Sequence, residues 1–137
     1  MTDAPYDLDT LIGSMPFAVT CAMKLDSASA ERVTGRMPWS ESKTTTGGIL
    51  HGGSLMAFAD SLGAMCAFLN LERGFMTSTI ESKTNFFRAV AKGEVHGEAV
   101  PLHVGRTTIV IQTDLRDDAG KRVGICTQTQ AVIPFRK

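Results

Sequence analysis

The segment His51–Leu69, "HGGSLMAFADSLGAMCAFL", decides how this chain folds. It is almost wholly apolar, opens with two glycines after the histidine, and contains one carboxylate, Asp60. Its apolar residues are distributed nearly all round a helical projection, which is typical of a helix buried on most sides. We therefore expect one buried helix that begins near Gly52 and ends near Gly74, where "LERG" supplies a glycine stop.

Asp60 is the unusual residue in this helix. An ionised carboxylate in an apolar interior is costly, so such a group has a partner, contact with water or a raised pKa. One interpretation is structural, with the carboxylate accepting hydrogen bonds from nearby backbone N–H or hydroxyl groups. The other is catalytic, with Asp60 acting as a general base or a nucleophile. The residues alone leave both open.

Alternating segments on either side of the helix predict strands. Before it, Phe17–Leu25 and Ser29–Met37 are expected to pair through a turn near Asp26–Ser27. After it come four more strand-like segments with no helix between them, at Ser78–Phe87, Gly93–Val104, Thr107–Leu115 and Arg122–Ile133. Strands that follow one another in this way indicate an antiparallel sheet. The predicted fold class is α+β, with one long buried helix wrapped by a curved antiparallel sheet.

Length and charge limit the functions to consider. The chain has 137 residues, which suits a single domain over 1–137, with residues 1–14 as an N-terminal extension or a short helix around Asp7–Ser14. Its 14 acidic and 14 basic residues balance, which argues against broad electrostatic binding to nucleic acid or to an anionic membrane. The apolar segment Gly52–Leu71 is interrupted by Asp60, so we interpret it as a buried helix and expect no membrane partner.

The start of the chain and the cysteines indicate a compartment. The N-terminus "MTDAPYDLDTLIGSM" carries early acidic residues and lacks the basic and apolar regions of a signal peptide. Cys21, Cys66 and Cys126 have no CxxC spacing and are odd in number. This pattern is typical of reduced thiols in a cytoplasmic protein. We expect ordinary buried or half-buried cysteines and no metal site.

The two glycines at the helix start suggest chemistry. Acyl transfer needs hydrogen-bond donors for the developing oxyanion and a base or nucleophile. A helix N-terminus offers free N–H groups with positive dipole character, and glycine lets a carbonyl approach closely. Gly52 and Gly53 fit this role, although a glycine pair can also serve tight packing or a turn.

The spacing between the glycines and the carboxylate predicts an oligomer. Gly52 and Asp60 are eight residues apart, which is about 12 Å along a helix, so one small substrate group cannot touch both in one chain. If both act in one site, the Gly52 end of one helix lies near Asp60 of a second copy in a two-fold arrangement. The small residues Gly63, Ala64 and Ala67 would permit close approach.

The three histidines have different interpretations. His51 is a candidate general base, but it can equally fix the loop before the helix through its ring nitrogens or border an acyl pocket. His96 and His103 lie on strand-like segments without acidic or cysteine neighbours at ligand spacing. We expect surface or packing roles for these two and no bound metal.

Taken together, the segments resemble the hotdog-fold acyl-CoA thioesterases, and among them the PaaI-type branch (phenylacetate-degradation, 4-hydroxybenzoyl-CoA thioesterase-like). The resemblance covers roughly residues 15–134. It is carried by "LHGGSLMAFAD" (Leu50–Asp60), "STIESKTNFFRAVAKGE" (Ser78–Glu94), "VGRTT" (Val104–Thr108) and "DDAGKRVGICTQT" (Asp117–Thr129). It implies a sheet of five or six strands around the helix, homodimers that often pair into homotetramers, and hydrolysis of acyl-CoA without metal or other cofactor.

The resemblance also implies roles for individual residues. Asp60 matches the catalytic carboxylate and Gly52 the glycine whose N–H polarises the thioester carbonyl. His51 matches the histidine that opens the helix, and Ser78 a hydroxyl that helps to hold the attacking water. Many members have Asn or Gln six residues before the histidine, where this chain has Thr45, which donates a hydrogen bond but reaches less far.

Coenzyme A carries phosphates, so cations are expected around its entrance. The candidates are Arg88, Lys92 and Arg106, each of which can also be an ordinary solvated charge. The leading hypothesis is an acyl-CoA thioesterase. The alternatives are a hotdog enoyl-CoA hydratase or dehydratase and a non-catalytic acyl-CoA-binding module.

Overall fold

The computed structural model describes residues 6–136. A three-residue 3-10 turn, Glu41–Lys43, precedes the long helix. The helices are α1 (Leu8–Gly13), α2 (Pro16–Thr20) and α3 (Gly52–Phe68). The strands are β1 (Lys24–Ala28), β2 (Val33–Pro38), β3 (Phe75–Phe86), β4 (Glu94–Val104), β5 (Thr108–Arg116) and β6 (Arg122–Pro134).

The strands form one antiparallel sheet of six strands in the order β1-β2-β4-β5-β6-β3. Helix α3 packs across the sheet and contacts β2, β3, β4, β5 and β6. The predicted α+β architecture of one buried helix on a curved antiparallel sheet is confirmed, and the number of strands is six. Strand β3 forms one edge of the sheet, and the short β1 forms the other.

The core lies between α3 and the sheet. Phe58 and Leu62 of α3 are fully buried. Two glycines of the sheet lie directly beneath them, and a Cβ at Gly97 would overlap Leu62 and lie 3.1 Å from the Phe58 ring. At Gly35 a Cβ would lie 3.0 Å from Leu62. Strands β2 and β4 therefore carry glycine where the helix comes closest to the sheet.

The segment before the sheet differs from the prediction. Phe17–Leu25 is not one strand, because Pro16–Thr20 forms α2 and β1 begins only at Lys24. Proline favours the first turn of a helix, and Pro16 occupies that position. The turn between β1 and β2 also lies later than expected, at 29–32, where the backbones of Ser29 and Arg32 bond to each other.

The long helix begins at Gly52 as predicted but ends at Phe68 rather than near Gly74. The Asn70 side chain donates to the carbonyl of Cys66 at 2.8 Å and to that of Ala30 at 2.7 Å, so it satisfies a carbonyl of the last helical turn. Gly74 has φ of +91° and belongs to the turn before β3. The glycine signal was real but marked a later turn.

All three cysteines are buried, as expected, and none forms a disulfide within the described residues. Burial raises the pKa of the Cys66 thiol to about 12. Within residues 6–136, no helix is both long enough and apolar enough to span a bilayer.

Phe58 should contribute much of the stability of the helix–sheet contact. We expect Phe58→Ala to lower the free energy of unfolding by about 3–5 kcal/mol, because it removes a fully buried ring and leaves a cavity. Phe135→Ala is the matched control, since that ring is 59% exposed and its loss should change stability by about 0.5 kcal/mol or less. Urea unfolding of both variants measures the difference, and equal losses would contradict this account of the core.

Candidate active site

The start of α3 is organised by His51. Its ring Nδ1 accepts a hydrogen bond from the Gly53 N–H at 2.7 Å, so His51 is the N-cap of the helix. Its own N–H donates to the Lys43 carbonyl at 2.9 Å, which ties the preceding loop to the helix. Of the interpretations open for His51, the structure shows the one in which a ring nitrogen fixes the helix start.

This cap leaves one glycine amide free. The Gly53 N–H is taken by His51, and the Ser54 N–H bonds to the His51 carbonyl at 2.9 Å. The Gly52 N–H donates to no acceptor within residues 6–136. Gly52, at the positive end of the helix dipole, is therefore the amide that can receive a substrate carbonyl.

An aromatic ring lies against Gly52. A Cβ at Gly52 would lie 3.4 Å from the Cζ of Phe86, the last residue of β3. Phe86 was not expected from the sequence, because an apolar residue at a strand end carries no signal that separates packing from a site. The helix start that carries the free Gly52 amide thus lies beside the end of the edge strand β3.

Asp60 lies two turns further along α3 and is half-buried. Its Oδ1 accepts a hydrogen bond of 3.3 Å from the Nε2 of Gln128 on β6. Burial raises the pKa of the Asp60 carboxyl, and the hydrogen bond from Gln128 opposes that rise. No salt bridge to Asp60 forms within the described part of the chain. A carboxylate with a raised pKa is a stronger base than an ordinary aspartate.

Gln128 was not among the residues expected from the sequence. Its side chain is 1% exposed and lies beneath α3, where a Cβ at Gly63 would overlap its Oε1. Two residues further on, Gln130 is equally buried and donates to the Thr79 hydroxyl at 2.8 Å. A glycine inside a helix, three residues after the carboxylate, is the signal that could have indicated a bulky neighbour there.

The hydroxyl expected from Ser78 lies elsewhere. Thr79 pairs with Gln130 and bonds to its side chain, so Thr79 is on the face of β3 that the helix covers. Ser78 pairs with Ala131, and strand neighbours alternate faces, so Ser78 points away from α3. The structure therefore does not bring Ser78 to Asp60 of the same chain.

Thr45 lies in the exposed turn that leads to α3. Its N–H donates to the Ile49 carbonyl at 2.8 Å, and its carbonyl accepts from Gly48 at 3.2 Å. The two glycines at 47 and 48 adopt positive φ and close the turn. This turn joins the helix at His51, so Thr45 is at the same end of α3 as Gly52.

The candidate cations are divided between the two ends of α3. Arg88 and Lys92 belong to the segment between β3 and β4, which passes the helix start because Leu50 donates to the Val90 carbonyl at 2.8 Å. Arg106 lies beyond the other end, beside Asn70 in a cavity of about 360 Å³. A helix of 17 residues separates these groups by about 25 Å.

An apolar cavity of about 350 Å³ lies between α1 and the second half of α3. Leu11 and Met15 form one wall, and Ala64, Met65 and Phe68 form the other. Ala64 is one helical turn after Asp60, so the cavity begins next to the carboxylate.

The other histidines lie outside this region. His96 forms an exposed hydrogen-bonded pair with Asp118 at 2.7 Å, which holds the pKa of Asp118 below its usual range. His103 is exposed on β4. Among the described residues, no group of three or more His, Cys, Asp or Glu side chains is arranged to hold a metal ion.

Comparison with known proteins supports one family. The family profile described as the thioesterase superfamily matches residues 47–123. PA1618 from Pseudomonas aeruginosa is 30% identical over 132 residues, covering 94% of this chain and 91% of PA1618. A crystal structure of a mutant of thioesterase PA1618 superposes with a TM-score of 0.90, covering 96% and 97% of the two chains.

Two further relatives agree. The crystal structure of thioesterase HI1161 from Haemophilus influenzae superposes with a TM-score of 0.91 at 25% identity, covering 98% of this chain and 96% of the other. The proofreading thioesterase EntH from Klebsiella pneumoniae is 36% identical over 86 residues, which are 63% of each chain. The chain therefore belongs to the thioesterase superfamily. Its fold is that of the hotdog thioesterases, and it is a thioester hydrolase.

His51 can be tested as a helix cap. We expect His51→Ala to lower the free energy of unfolding by about 1 kcal/mol, because the Gly53 N–H loses its acceptor. His51→Asn should retain most of the stability, since asparagine is among the preferred N-cap residues. Urea unfolding separates the two variants. If asparagine were as destabilising as alanine, the capping role would be wrong.

Proposed function

We propose that this protein is an acyl-CoA thioesterase that hydrolyses an acyl- or aryl-acyl-CoA to the free acid and coenzyme A. We further propose that each active site lies between two copies of the chain. The observation that carries the proposal is that one helix presents both a free Gly52 amide and a half-buried Asp60 carboxylate. The two groups are about 12 Å apart along the helix axis, too far to serve one thioester within one chain.

The position of both groups favours a partner along β3. Gly52 packs against Phe86 of β3, and Asp60 bonds to Gln128 of β6, the strand beside β3. Strand β3 has 12 residues, most of them exposed, on an open edge of the sheet. Long open edges are usually covered in native proteins. A second copy placed there by a two-fold axis would bring its Gly52 to this Asp60, giving two equivalent sites in a homodimer. Two such dimers would form the expected homotetramer.

The chemistry follows from these two groups. The thioester carbonyl accepts a hydrogen bond from the Gly52 N–H, and the helix dipole stabilises the negative charge that develops on its oxygen. Asp60 of the other copy either removes a proton from the attacking water or attacks the carbonyl itself. The C–S bond then breaks, and coenzyme A leaves as a thiolate that needs little acid assistance. Neither route requires a metal or a cofactor beyond the coenzyme A of the substrate.

The surrounding residues suggest how the substrate lies. The acyl group would occupy the apolar cavity between α1 and α3, which begins one turn beyond Asp60. The phosphates of coenzyme A would lie near Arg88 and Lys92. If the α3 helices of the two copies are antiparallel, Arg106 of the second copy would lie at the same end of the site as Arg88 and Lys92. Thr45 would contact the thioester region with its hydroxyl, and Gly53 would act through His51, which it orients.

Ser78 points away from α3 of its own chain. If Ser78 helps to hold the attacking water, it would do so in the active site of a neighbouring copy. Three free buried thiols favour a cytoplasmic location.

Asp60 is the first residue to test. We expect Asp60→Asn to lower kcat for thiol release from an acyl-CoA panel by about 10²–10⁴-fold, because the amide cannot accept a proton or attack. In the wild type, kcat/KM should fall at acidic pH as Asp60 is protonated, and at a higher pH than for an exposed aspartate, because burial raises its pKa.

Glu98→Gln is the matched control, since Glu98 pairs with Arg32 on the outer side of the sheet. It should retain wild-type rates. Unchanged turnover in Asp60→Asn would overturn the assignment. Water addition to an enoyl-CoA would instead indicate a hydratase, and binding without turnover would indicate a binding module.

The shared site can be tested by mixing two inactive variants. Gly52→Pro removes the N–H of interest and adds a ring beside Phe86, and proline is accepted at the first position of a helix. Gly52→Pro and Asp60→Asn should each be inactive. After unfolding and refolding together, half of the dimers are mixed, and each mixed dimer has one intact site, so about a quarter of wild-type activity should return.

Refolding each variant alone is the control for this experiment. No recovery in the mixture, with mixed dimers demonstrated by differential tagging, would place both groups in one chain and contradict the interface. Sedimentation velocity should show a dimer or a tetramer.

A further inference from the structure

We propose that Gln128 is a positioning residue that holds the Asp60 carboxylate in its reactive orientation. The inference rests on the proposed role of Asp60 in thioester hydrolysis. It concerns a residue on β6 that forms no part of the helix start and that the sequence motifs did not indicate. Three observations support it: a direct contact, two structural features beside it that disfavour stability, and the lack of another polar partner for Asp60 among residues 6–136.

The contact joins two elements that are far apart in the chain. The Nε2 of Gln128 donates to Oδ1 of Asp60 at 3.3 Å, across 68 positions of sequence. Gln128 is 1% exposed, so its rotamer is confined by the sheet below and the helix above. A confined donor restricts the carboxylate more than water would, and this leaves Oδ2 free to face a substrate or a water molecule.

Two features beside the contact, the Oε1 of Gln128 and the glycine at position 63, are unfavourable for stability. The Oε1 of Gln128 is buried and has no hydrogen-bond partner among the described residues. A buried unpaired acceptor is destabilising, and an apolar residue of the same shape is often tolerated better. Gly63, which makes room for this amide, is a glycine in the interior of α3, where alanine would favour the helix. A buried unpaired acceptor and a glycine inside a helix both depart from what stability favours, and such departures are expected at functional sites.

Among residues 6–136, no charged group forms a salt bridge with Asp60. Helix α2 has no charged residue. On each strand packed against α3, charged side chains alternate with the residues that face the helix and therefore lie on the other face of the sheet. These are Arg36 of β2, Glu81 and Lys83 of β3, Glu94, His96, Glu98 and His103 of β4, Asp114 and Arg116 of β5, and Arg122 of β6. Gln128 is accordingly the one polar side chain that bonds to Asp60 in the described structure.

The electrostatic consequence is specific. Burial raises the pKa of Asp60, and the hydrogen bond from Gln128 lowers it. Removing this donor should therefore raise the pKa further, so that the acidic limb of the pH–rate profile moves to higher pH. A residue with only a packing role would change the rate equally at all pH values.

The test replaces Gln128 with leucine, which fills a similar volume without a donor. We expect Gln128→Leu to fold with a stability close to that of the wild type, because loss of the unpaired Oε1 offsets loss of the hydrogen bond to Asp60. We also expect kcat to fall about tenfold with little change in KM, and the acidic limb to shift upward. Gln130→Leu is the matched control: Gln130 is as buried and lies on the same strand, but it bonds to Thr79.

A second pair of variants separates space from hydrogen bonding. Gly63→Ala should displace the Gln128 amide and impair both stability and rate, since its Cβ overlaps Oε1. Adding Gln128→Ala should restore room, and hence part of the stability, without restoring the rate. Recovery of both would show that Gln128 serves packing alone.

Titration of the Asp60 carboxyl by carbon-13 NMR gives a readout that does not depend on turnover. A higher midpoint in Gln128→Leu than in the wild type and Gln130→Leu supports the inference. Equal midpoints and equal pH–rate profiles in all three proteins overturn it. Absence of thiol release by the wild type would instead refute the proposed function, while the midpoints would still report whether Gln128 controls the ionisation of Asp60.

Discussion

The incomplete burial of one carboxylate is the constraint on which the site depends. Helix α3 contains nine buried residues, and Asp60 lies among them, half-buried and bonded to β6, the strand beside the edge strand β3. There the apolar surroundings disfavour the charge, and a single amide from β6 partly compensates. If Asp60 were deeper, its charge would be prohibitive, and if it were fully exposed, it would be an ordinary weak base.

The start of the same helix solves a different problem. A helix N-terminus presents several N–H groups without intrahelical partners, and each needs an acceptor. The His51 ring accepts from the Gly53 N–H and the His51 carbonyl accepts from the Ser54 N–H, so within the described residues Gly52 keeps the free donor at this helix start. The histidine that looked like a base in the sequence thus selects which amide remains available. One rigid helix presents a donor at its end and a carboxylate two turns along, and rigidity keeps them apart.

Periodicity predicted most of the fold and failed where local and tertiary effects compete. The four strands after α3 were located within about three residues at their ends, because alternation and turn residues agree there. The prediction of one strand over Phe17–Leu25 was wrong, because its weak alternation does not distinguish a strand from the short helix that begins at Pro16. The predicted end of α3 was wrong because the Asn70 side chain donates to a carbonyl of the last helical turn, so the helix ends before Gly74. The sequence singled out Asp60, Gly52 and His51 as candidate site residues because they stand out in an apolar segment, and their catalytic roles stay predictions.

What the sequence determined by itself was the class: a buried helix opened by His-Gly-Gly, a carboxylate nine residues after the histidine, and successive strands that must pair antiparallel. Those features depend on spacing within short segments, which a sequence states directly. Only the tertiary structure decided that Gln128 meets Asp60, that Thr79 rather than Ser78 faces the helix, and that Phe86 covers Gly52. These contacts depend on strand register and on which face of β3 and β6 is covered, and in both strands polar residues occupy both faces.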